Sequence, residues 1–246
     1  MQNALLIGLS QQAALRREMT VIANNLANMN TSGFKSERLL FEEYVMPVAR
    51  DHNWRAGSNR LSYVQDGAIL RNFEPGRMKR TGNPLDVAIN GKGWFVVQTP
   101  DGEQYTRNGH FNINADGTLT TSTGNPVLIE GGLITFGPDE TDFSISRDGM
   151  VSSSAGQKGR LRIVEFENEN KLKKQGNSLL SSEEPGSPAK TVNLIQGMLE
   201  DSNVKPVVEM TRMIEVQRAY TRASSMLDKE HELMRDTINK LGRAPN

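Results

Sequence analysis

The side chains that could do chemistry in this 246-residue chain are few, and their spacing does not form a catalytic group. The three histidines, His52, His110 and His231, lie in separate segments without the short spacing of metal ligands. There is no cysteine, which excludes disulfides, thiolate metal sites and cysteine nucleophiles. A Gly-x-Ser-x-Gly motif for a serine nucleophile is also absent. The sequence therefore predicts no catalytic residue, no metal site and no cofactor.

Two short segments resemble the start of a ligand-binding loop. Gly91-Lys92-Gly93 is followed by a strand-like run instead of the helix that a phosphate-binding loop requires. The segment from Asn112 to Gly117 begins like a calcium loop, but Thr123 occupies the position of the bidentate glutamate, which favours a β-turn. Three carboxylates alternate along one strand-like run and indicate a solvated face: Glu165, Glu167 and Glu169.

The composition describes a chain with no electrostatic preference for nucleic acid. Hydrophobic residues make up 36%, charged residues 24% and aromatic residues 6%, and the formal net charge is zero. No apolar run approaches the roughly 20 residues of a membrane span. The apolar run from Ala4 to Leu9 is short and no basic segment precedes it, so we expect no cleavable signal peptide.

The elements that must position any site begin with a helix at the N-terminus. Its apolar residues alternate in steps of four and three, the spacing of a heptad: Leu15, Met19, Ile22, Leu26 and Met29. The segment Asn30-Thr31-Ser32-Gly33 ends it, since a glycine readily takes the left-handed conformation that terminates helices.

A longer helix is predicted at the C-terminus, because neither glycine nor proline interrupts Val207 to Leu241. The heptad spacing runs through the following residues: Met210, Met213, Gln217, Tyr220, Ser224, Leu227, His231, Met234, Ile238 and Leu241. The polar members Gln217, Ser224 and His231 have two interpretations. They either fix the register of a coiled coil or mark the exposed part of a half-buried helix.

The middle of the chain, from Leu61 to Leu180, is predicted to be β structure. Short strand-like runs alternate with turn signals such as Asp116-Gly117 and Asp148-Gly149, which favours an antiparallel sandwich or irregular barrel. The predicted fold is therefore α+β, with long terminal helices forming a coiled-coil inner domain and a β domain inserted between them. The expected divisions are 1–34 (helical), 35–80 (extended connection), 81–182 (β domain), 183–201 (linker) and 202–246 (helical).

Several motifs, in the same order, resemble the flagellar rod and hook family. Near the N-terminus are Ala23 to Asn28 and Thr31 to Lys35, and near the C-terminus are Gly197 to Val204 and Gln217 to Tyr220. The central segments also match: Thr81 to Ile89, Gly93 to Val97, and Tyr105 to Gly109. The chain is too short for a hook protein and is most similar to the proximal-rod type, with the distal-rod type as the near alternative. Trp94 stands where many relatives have phenylalanine.

The resemblance implies a structural subunit of the flagellar basal-body rod. Its partners would be copies of itself, other proximal and distal rod proteins, and the flagellar type III export apparatus during secretion. It would leave the cell uncleaved and reside in the periplasmic part of the basal body, with no nucleic-acid partner and no membrane span. The polymer would be a hollow shaft that transmits torque and lets axial proteins pass.

Two groups of residues are expected to matter for assembly. The inner helix packing is predicted to involve Leu15, Met19, Ile22, Leu26, Met210, Met213, Tyr220, Leu227 and Met234. Contacts of the family motifs are predicted at Asn24, Asn25, Asn28, Gly33, Phe34, Asn203, Gln217 and Arg218. The three N-terminal asparagines either bind between subunits or reflect the polarity of a helix end.

Two rival functions follow from the same elements. A soluble adaptor with a coiled coil and a β-sandwich binding module would have independently stable ends. An enzyme acting on cell-wall glycan would need two close carboxylates in a cleft, and the sequence offers no motif for them.

Overall fold

A computed structural model describes residues 2–46 and 61–241 and divides the chain into two compact units. The first unit contains residues 1–27, 37–70 and 205–246, and the second contains residues 28–36 and 71–204. His52 lies outside the described residues. Neither of the two described α-helices is both long and apolar enough to cross a membrane.

The first unit is built from the two α-helices and a pair of strands. Helix α1 is Gln2–Ala27 and helix α2 is Pro206–Leu241. Strands β1 (Glu37–Met46) and β2 (Leu61–Arg71, in this unit up to residue 70) form a two-stranded sheet. Pro206 begins α2, where its missing N–H costs nothing, and Glu209 in the first turn complements the helix dipole.

The two helices pack against each other in antiparallel directions. Near the end of α1, Asn25 Nδ2 lies 3.2 Å from Glu209 Oε2 at the start of α2. Near the beginning of α1, a Cβ added to Gly8 would lie 2.7 Å from Leu227 Cδ2. Because Gly8 has no side chain, Leu227 can approach α1 closely at this position.

The predicted coiled-coil inner domain is wrong, although the mixed α+β composition holds. Among the described residues only one α-helix lies at each end of the chain, and the remainder is largely β. The helices share their unit with the β1–β2 pair and do not form an inner domain by themselves.

One physical reason for the difference from the prediction is that the heptad spacing gives the period of α2 but does not fix how the helix is rotated about its own axis. The buried and half-buried positions include Glu209, Met213, Val216, Tyr220, Ala223, Leu227, Glu230 and Met234, and Arg212, Ala219 and Ser224 are also half-buried. Glu209, Val216 and Glu230 thus stand one residue before the predicted Met210, Gln217 and His231, which are exposed, whereas the predicted Ser224 is half-buried. Neighbouring residues on a helix point about 100° apart, and this rotation removes Gln217 and His231 from the line that faces α1.

The second unit, which we call the β unit, is antiparallel β structure made of short strands. They are β3 (Met78–Arg80), β4 (Val87–Ile89), β5 (Trp94–Thr99), β6 (Gly102–Thr106), β7 (Phe111–Ile113), β8 (Leu119–Thr121), β9 (Leu128–Ile129), β10 (Gly132–Leu133), β11 (Ser144–Ile145), β12 (Met150–Ser153), β13 (Gly156–Arg160), β14 (Ile163–Glu165), β15 (Lys173–Gly176), β16 (Leu179–Ser181), β17 (Ser187–Pro188), β18 (Leu194–Gln196) and β19 (Met198–Glu200). One turn of 3₁₀ helix, Glu169–Lys171, precedes β15.

A six-stranded sheet with the order β15-β16-β6-β5-β14-β17 separates two apolar clusters. Phe95 and Val97 of β5 belong to one cluster, and the alternate residues Trp94 and Val96 belong to the other. This alternation follows from the two-residue period of a strand. β5 is therefore buried on both faces and anchors the unit.

The last two strands bring the C-terminal motif next to the beginning of the β region. β18 pairs with β4 and β19 pairs with β3, with Met198, Leu199 and Glu200 opposite Arg80, Lys79 and Met78. Gly197, between the two strands, has a φ of +71°, which lets the chain turn from one pairing to the next.

Candidate functional site

The segment that follows α1 in sequence, Thr31 to Lys35, is bonded to the C-terminal motif. The Gly33 N–H donates to the Glu200 carbonyl at 2.7 Å, and the Asn203 N–H donates to the Phe34 carbonyl at 3.3 Å. Gly33 has a φ of +70°, and a Cβ added there would lie 2.5 Å from the backbone of Arg107. Both the backbone conformation and the space therefore require glycine at this position.

A buried ion-pair cluster lies beside this turn and centres on Glu200, whose side chain is 1% exposed. Lys35 Nζ lies 2.5 Å from Glu200 Oε1, and Arg107 Nη1 lies 3.5 Å from Oε2. Glu200 Oε1 also accepts the Gly76 N–H at 2.9 Å, and Lys35 Nζ donates to the Glu74 carbonyl at 2.9 Å. One carboxylate thus connects segments that are far apart in sequence.

The cluster places two cations around one carboxylate in a region with little water. Burial lowers the pKa of Lys35 and of Arg107, and the attraction of Glu200 offsets only part of that effect. The Arg107 guanidinium also lies 5.3 Å from the centre of the Trp94 ring, and Trp94 Nε1 donates to Glu169 Oε1 at 3.0 Å. Because its charges depend on each other, loss of one partner would leave a buried charge uncompensated.

Asn203 is the second connection between the two motifs. Its Oδ1 accepts the Ser36 N–H at 2.8 Å, while its Nδ2 donates to the carbonyls of Asn72 and Glu74 at 2.8 and 3.0 Å. Both ends of the amide are used, so a residue with only acceptors or only donors cannot replace it. Phe34 is buried near this position, with Lys174 Nζ 5.0 Å from its ring centre.

Within the first unit, which we call the helical unit, Asn25 likewise connects segments that are far apart in sequence. Its Oδ1 accepts the Glu37 N–H at 2.9 Å, and its Nδ2 donates to the Glu37 carbonyl at 2.8 Å and to Glu209 Oε2 at 3.2 Å. Asn25 is fully buried and Glu209 is 4% exposed. Asn25 thus fixes the beginning of β1 against both helices, a contact within one chain.

Most of the other predicted residues are half-buried or exposed. Asn24 is exposed, and Asn28 Oδ1 accepts the Thr31 hydroxyl at 3.2 Å. Of the predicted helix-packing residues, Ile22 is buried, Met210 is exposed, and the rest are half-buried: Leu15, Met19, Leu26, Met213, Tyr220, Leu227 and Met234. Gln217 and Arg218 are exposed and line an open groove on α2.

Sequence reasoning missed the charged members of these connections. Lys35, Arg107 and Glu200 lie inside recognised motifs, but a charge count treats them as surface residues. The available signal was Glu200 directly after Met198 and Leu199, a charge at the end of an apolar run. Its partners could not be identified because they are remote in sequence.

The arrangement is suited to joining segments and offers little to a substrate. Within residues 2–46 and 61–241, no group of three or more His, Cys, Asp or Glu side chains could hold a metal ion. The carboxylate of Glu200 is occupied by Lys35, Arg107 and the Gly76 N–H. We therefore regard the site as a structural junction between the N- and C-terminal motifs.

Comparisons with known proteins place the same segments in flagellar families. Residues 5–35 match the family described as flagella basal body rod protein. Residues 88–153 match the flagellar hook protein FlgE/F/G D1 domain, and residues 195–241 match the flagellar basal body rod FlgEFG protein C-terminal family. The junction therefore joins the ends of the matched terminal segments, which include Lys35 and Glu200.

Relatives match over nearly the full length. The chain is 42% identical to the flagellar basal-body rod protein FlgF of Caulobacter vibrioides, with 99% of each chain covered. It is 34% identical to FlgF of Mesorhizobium japonicum, covering 98% of this chain and 99% of the relative. It is also 36% identical to the flagellar basal-body rod protein FlgG of Agrobacterium fabrum, covering 94% and 96%. The chain belongs to the flagellar basal-body rod protein family and is FlgF-like, with FlgG-type proteins as the near alternative.

Proposed function

We propose that this chain is a structural subunit of the flagellar basal-body rod that polymerises with copies of itself and with other rod proteins. The observation that carries this is the junction of the terminal motifs around Glu200 and Asn203, which closes the β unit with residues from both ends of the chain.

The exposed apolar residues of the helices support assembly. Leu6, Leu9, Val207, Met210 and Ile214 are each about half exposed or more. Such residues cost free energy in water and favour burial against a neighbour. An adaptor with independently stable ends would be expected to cover them within the chain.

The proposal also covers where in the rod the subunit lies and how it is exported. Similarity to FlgF favours the proximal rod over the distal rod. In the proposal the subunit is exported through the flagellar type III apparatus without cleavage, resides in the periplasmic rod, and acts mechanically and not as an enzyme. Head-to-tail contacts that do not close generate an open tube, which can transmit torque and leave a central passage.

The test is a strain deleted for this gene and complemented with wild type, with Ile22→Asp or with Thr20→Asp. Ile22 of α1 is 2% exposed, whereas Thr20 is exposed on the same helix. We expect the deletion to lack complete rods in isolated basal bodies. Thr20→Asp should restore swimming, and Ile22→Asp should not, although the protein is made.

Complete, rotating flagella in the deletion strain would refute the rod assignment and favour the adaptor. Restoration by Ile22→Asp would refute the role of the helix pair while leaving the assignment intact. Limited proteolysis of each variant checks that the β unit remains folded.

A further inference from the structure

Near its end in sequence, the β unit contains a strap formed by residues 193–203. Its strands β18 and β19 pair with β4 and β3, and within the described residues β3 and β4 pair with no other strand. Leu194 of the strap is 1% exposed and belongs to the larger apolar cluster. At the beginning of the strap, the Asn193 carbonyl accepts the Asn90 N–H at 2.8 Å. The strap therefore completes both the hydrogen bonding and the core of the β unit.

Many partners of the strap are remote in sequence. Gln196 Nε2 donates to the Pro84 carbonyl at 2.8 Å across 112 residues, and Asn203 Oδ1 accepts the Ser36 N–H at 2.8 Å across 167 residues. The hairpins β5–β6, β7–β8 and β12–β13 instead join neighbouring strands through short turns. Contacts between remote residues require the entropy of a long loop to be lost first, whereas a short hairpin does not. We therefore expect the hairpins to form before the strap docks.

The strap also holds residues 33–36, which lie just before β1. The Gly33 N–H donates to the Glu200 carbonyl at 2.7 Å, and Lys35 Nζ lies 2.5 Å from the Glu200 carboxylate. Without the strap, the buried Lys35 would keep its bond to a backbone carbonyl but lose the carboxylate that it binds. A buried cation without its counter-charge is strongly destabilising, so residues 33–36 are held firmly only when the strap is docked.

We propose that the strap is a closing device, which docks last during folding and holds residues 33–36 to the β unit only in a chain that is complete up to residue 203. Before the strap docks, β3 and β4 have no strand partner and residues 33–36 lack their main anchor. The strap thereby makes the attachment of the N-terminal segment depend on the presence of the C-terminal motif. This inference concerns folding and is independent of the proposed function.

Pulse-labelling hydrogen exchange of the full-length, unmodified chain tests this order. The protein is unfolded in urea, refolded by dilution and given a short exchange pulse at increasing times. The amides of Gly33 and Asp201 report on strap docking, because the first donates to a strap carbonyl and the second is a strap amide that donates next to β3. The buried amides of Thr121 and Gly149 report on local structure, because each donates to a carbonyl at most four residues away. We expect the local pair to become protected at least about tenfold sooner.

Two matched asparagine variants test the same order through folding rates. Asn203→Ala removes three side-chain hydrogen bonds of the strap, and Asn114→Ala removes two within the turn between β7 and β8. Interactions that form after the transition state affect only unfolding, so Asn203→Ala should speed unfolding about tenfold and leave the refolding rate unchanged. Asn114→Ala should instead slow refolding. Stopped-flow mixing with tryptophan fluorescence measures both rates.

Protection of Gly33 and Asp201 at the same time as the local pair, or before it, overturns the inference. Protection of Asp201 well before Gly33 overturns it as well, because the strap would then dock without holding the N-terminal segment. A variant Asn203→Ala that slows refolding with unchanged unfolding has the same meaning. Complete flagella in the deletion strain would refute the proposed function and leave these kinetic results unaffected.

Discussion

The β unit and the helical unit bury their residues in different ways. In the β unit, apolar side chains from many strands form a continuous cluster that includes Phe95, Phe111, Leu119 and Leu161, each 1% exposed or less. Among the described residues of the two helices, the buried positions are Ala14, Ile22, Asn25, Glu209 and Val216. The β unit thus holds a complete core, whereas the helices hold a narrow line of contact.

The difference shows where each unit obtains its stability. A pair of helices gains little from propensity alone and needs tertiary packing, so exposed apolar residues on both helices leave their stabilisation incomplete in one chain. Two of the five buried helix positions are polar, and they bond to each other. The β unit also has a polar cluster, but its stability rests mainly on apolar burial.

The largest expected effect is on the β unit, through Glu200→Ala. The change leaves Lys35 and Arg107 as buried cations without their carboxylate and should lower the free energy of unfolding by about 3–5 kcal/mol. Urea unfolding followed by tryptophan fluorescence measures the loss, since Trp94 lies against Arg107. The control Glu103→Ala removes a carboxylate that is 38% exposed and pairs with Arg162, and should cost less than about 1 kcal/mol. Equal losses of unfolding free energy in the two variants would contradict a stabilising role of the buried Glu200 ion pairs.

A smaller effect is expected in the helical unit, through Asn25→Ala. The variant leaves the Glu37 N–H and carbonyl without their side-chain partner, at a cost of about 1–3 kcal/mol. Hydrogen exchange should become faster at the end of α1 and the beginning of β1, while the core strand β5 keeps its protection. As a control, Gln11→Ala at an exposed position of α1 should not change hydrogen exchange in any of these segments. Faster exchange throughout the β unit would contradict the separation of the two units.

The smallest effect concerns a polar contact at the surface of the β unit. Hydrogen bonds from Lys158, Ser153 and the Gly137 N–H, with Lys158 the largest contribution, lower the pKa of Glu140 to about 2. Because the unfolded value of about 4.5 is higher, this stability is present above pH 4.5 and is lost as the pH falls towards 2. Glu140→Gln should therefore show a smaller decrease of the thermal midpoint between pH 5 and pH 2.

Ser153→Ala serves as the graded comparison for Glu140, because it removes one of the bonds and keeps Lys158. Its decrease in the thermal midpoint should lie between those of wild type and Glu140→Gln. An unchanged pH profile in both variants would show that this contact does not contribute to folding.

Local patterns in the sequence identified the elements well. The uninterrupted segment from Val207 to Leu241 predicted a helix that the structure places at Pro206–Leu241. The turn signals predicted a middle of short strands, whereas the N-terminal helix ends at Ala27, before the predicted end at residues 30–33. These features depend on residues close in sequence, and their physical causes are local: backbone freedom, helix breaking and strand alternation.

The sequence by itself determined the two helices, the β character between them and the family motifs. Only the tertiary structure decided which face of α2 meets α1, and that Lys35, Arg107 and Glu200 share one buried cluster. A heptad spacing fixes the period of a helix but leaves its rotation open until small residues such as Gly8 set the distance of closest approach. An ion pair between residues 35 and 200 has no local signature, because its energy depends on the burial that the fold itself creates.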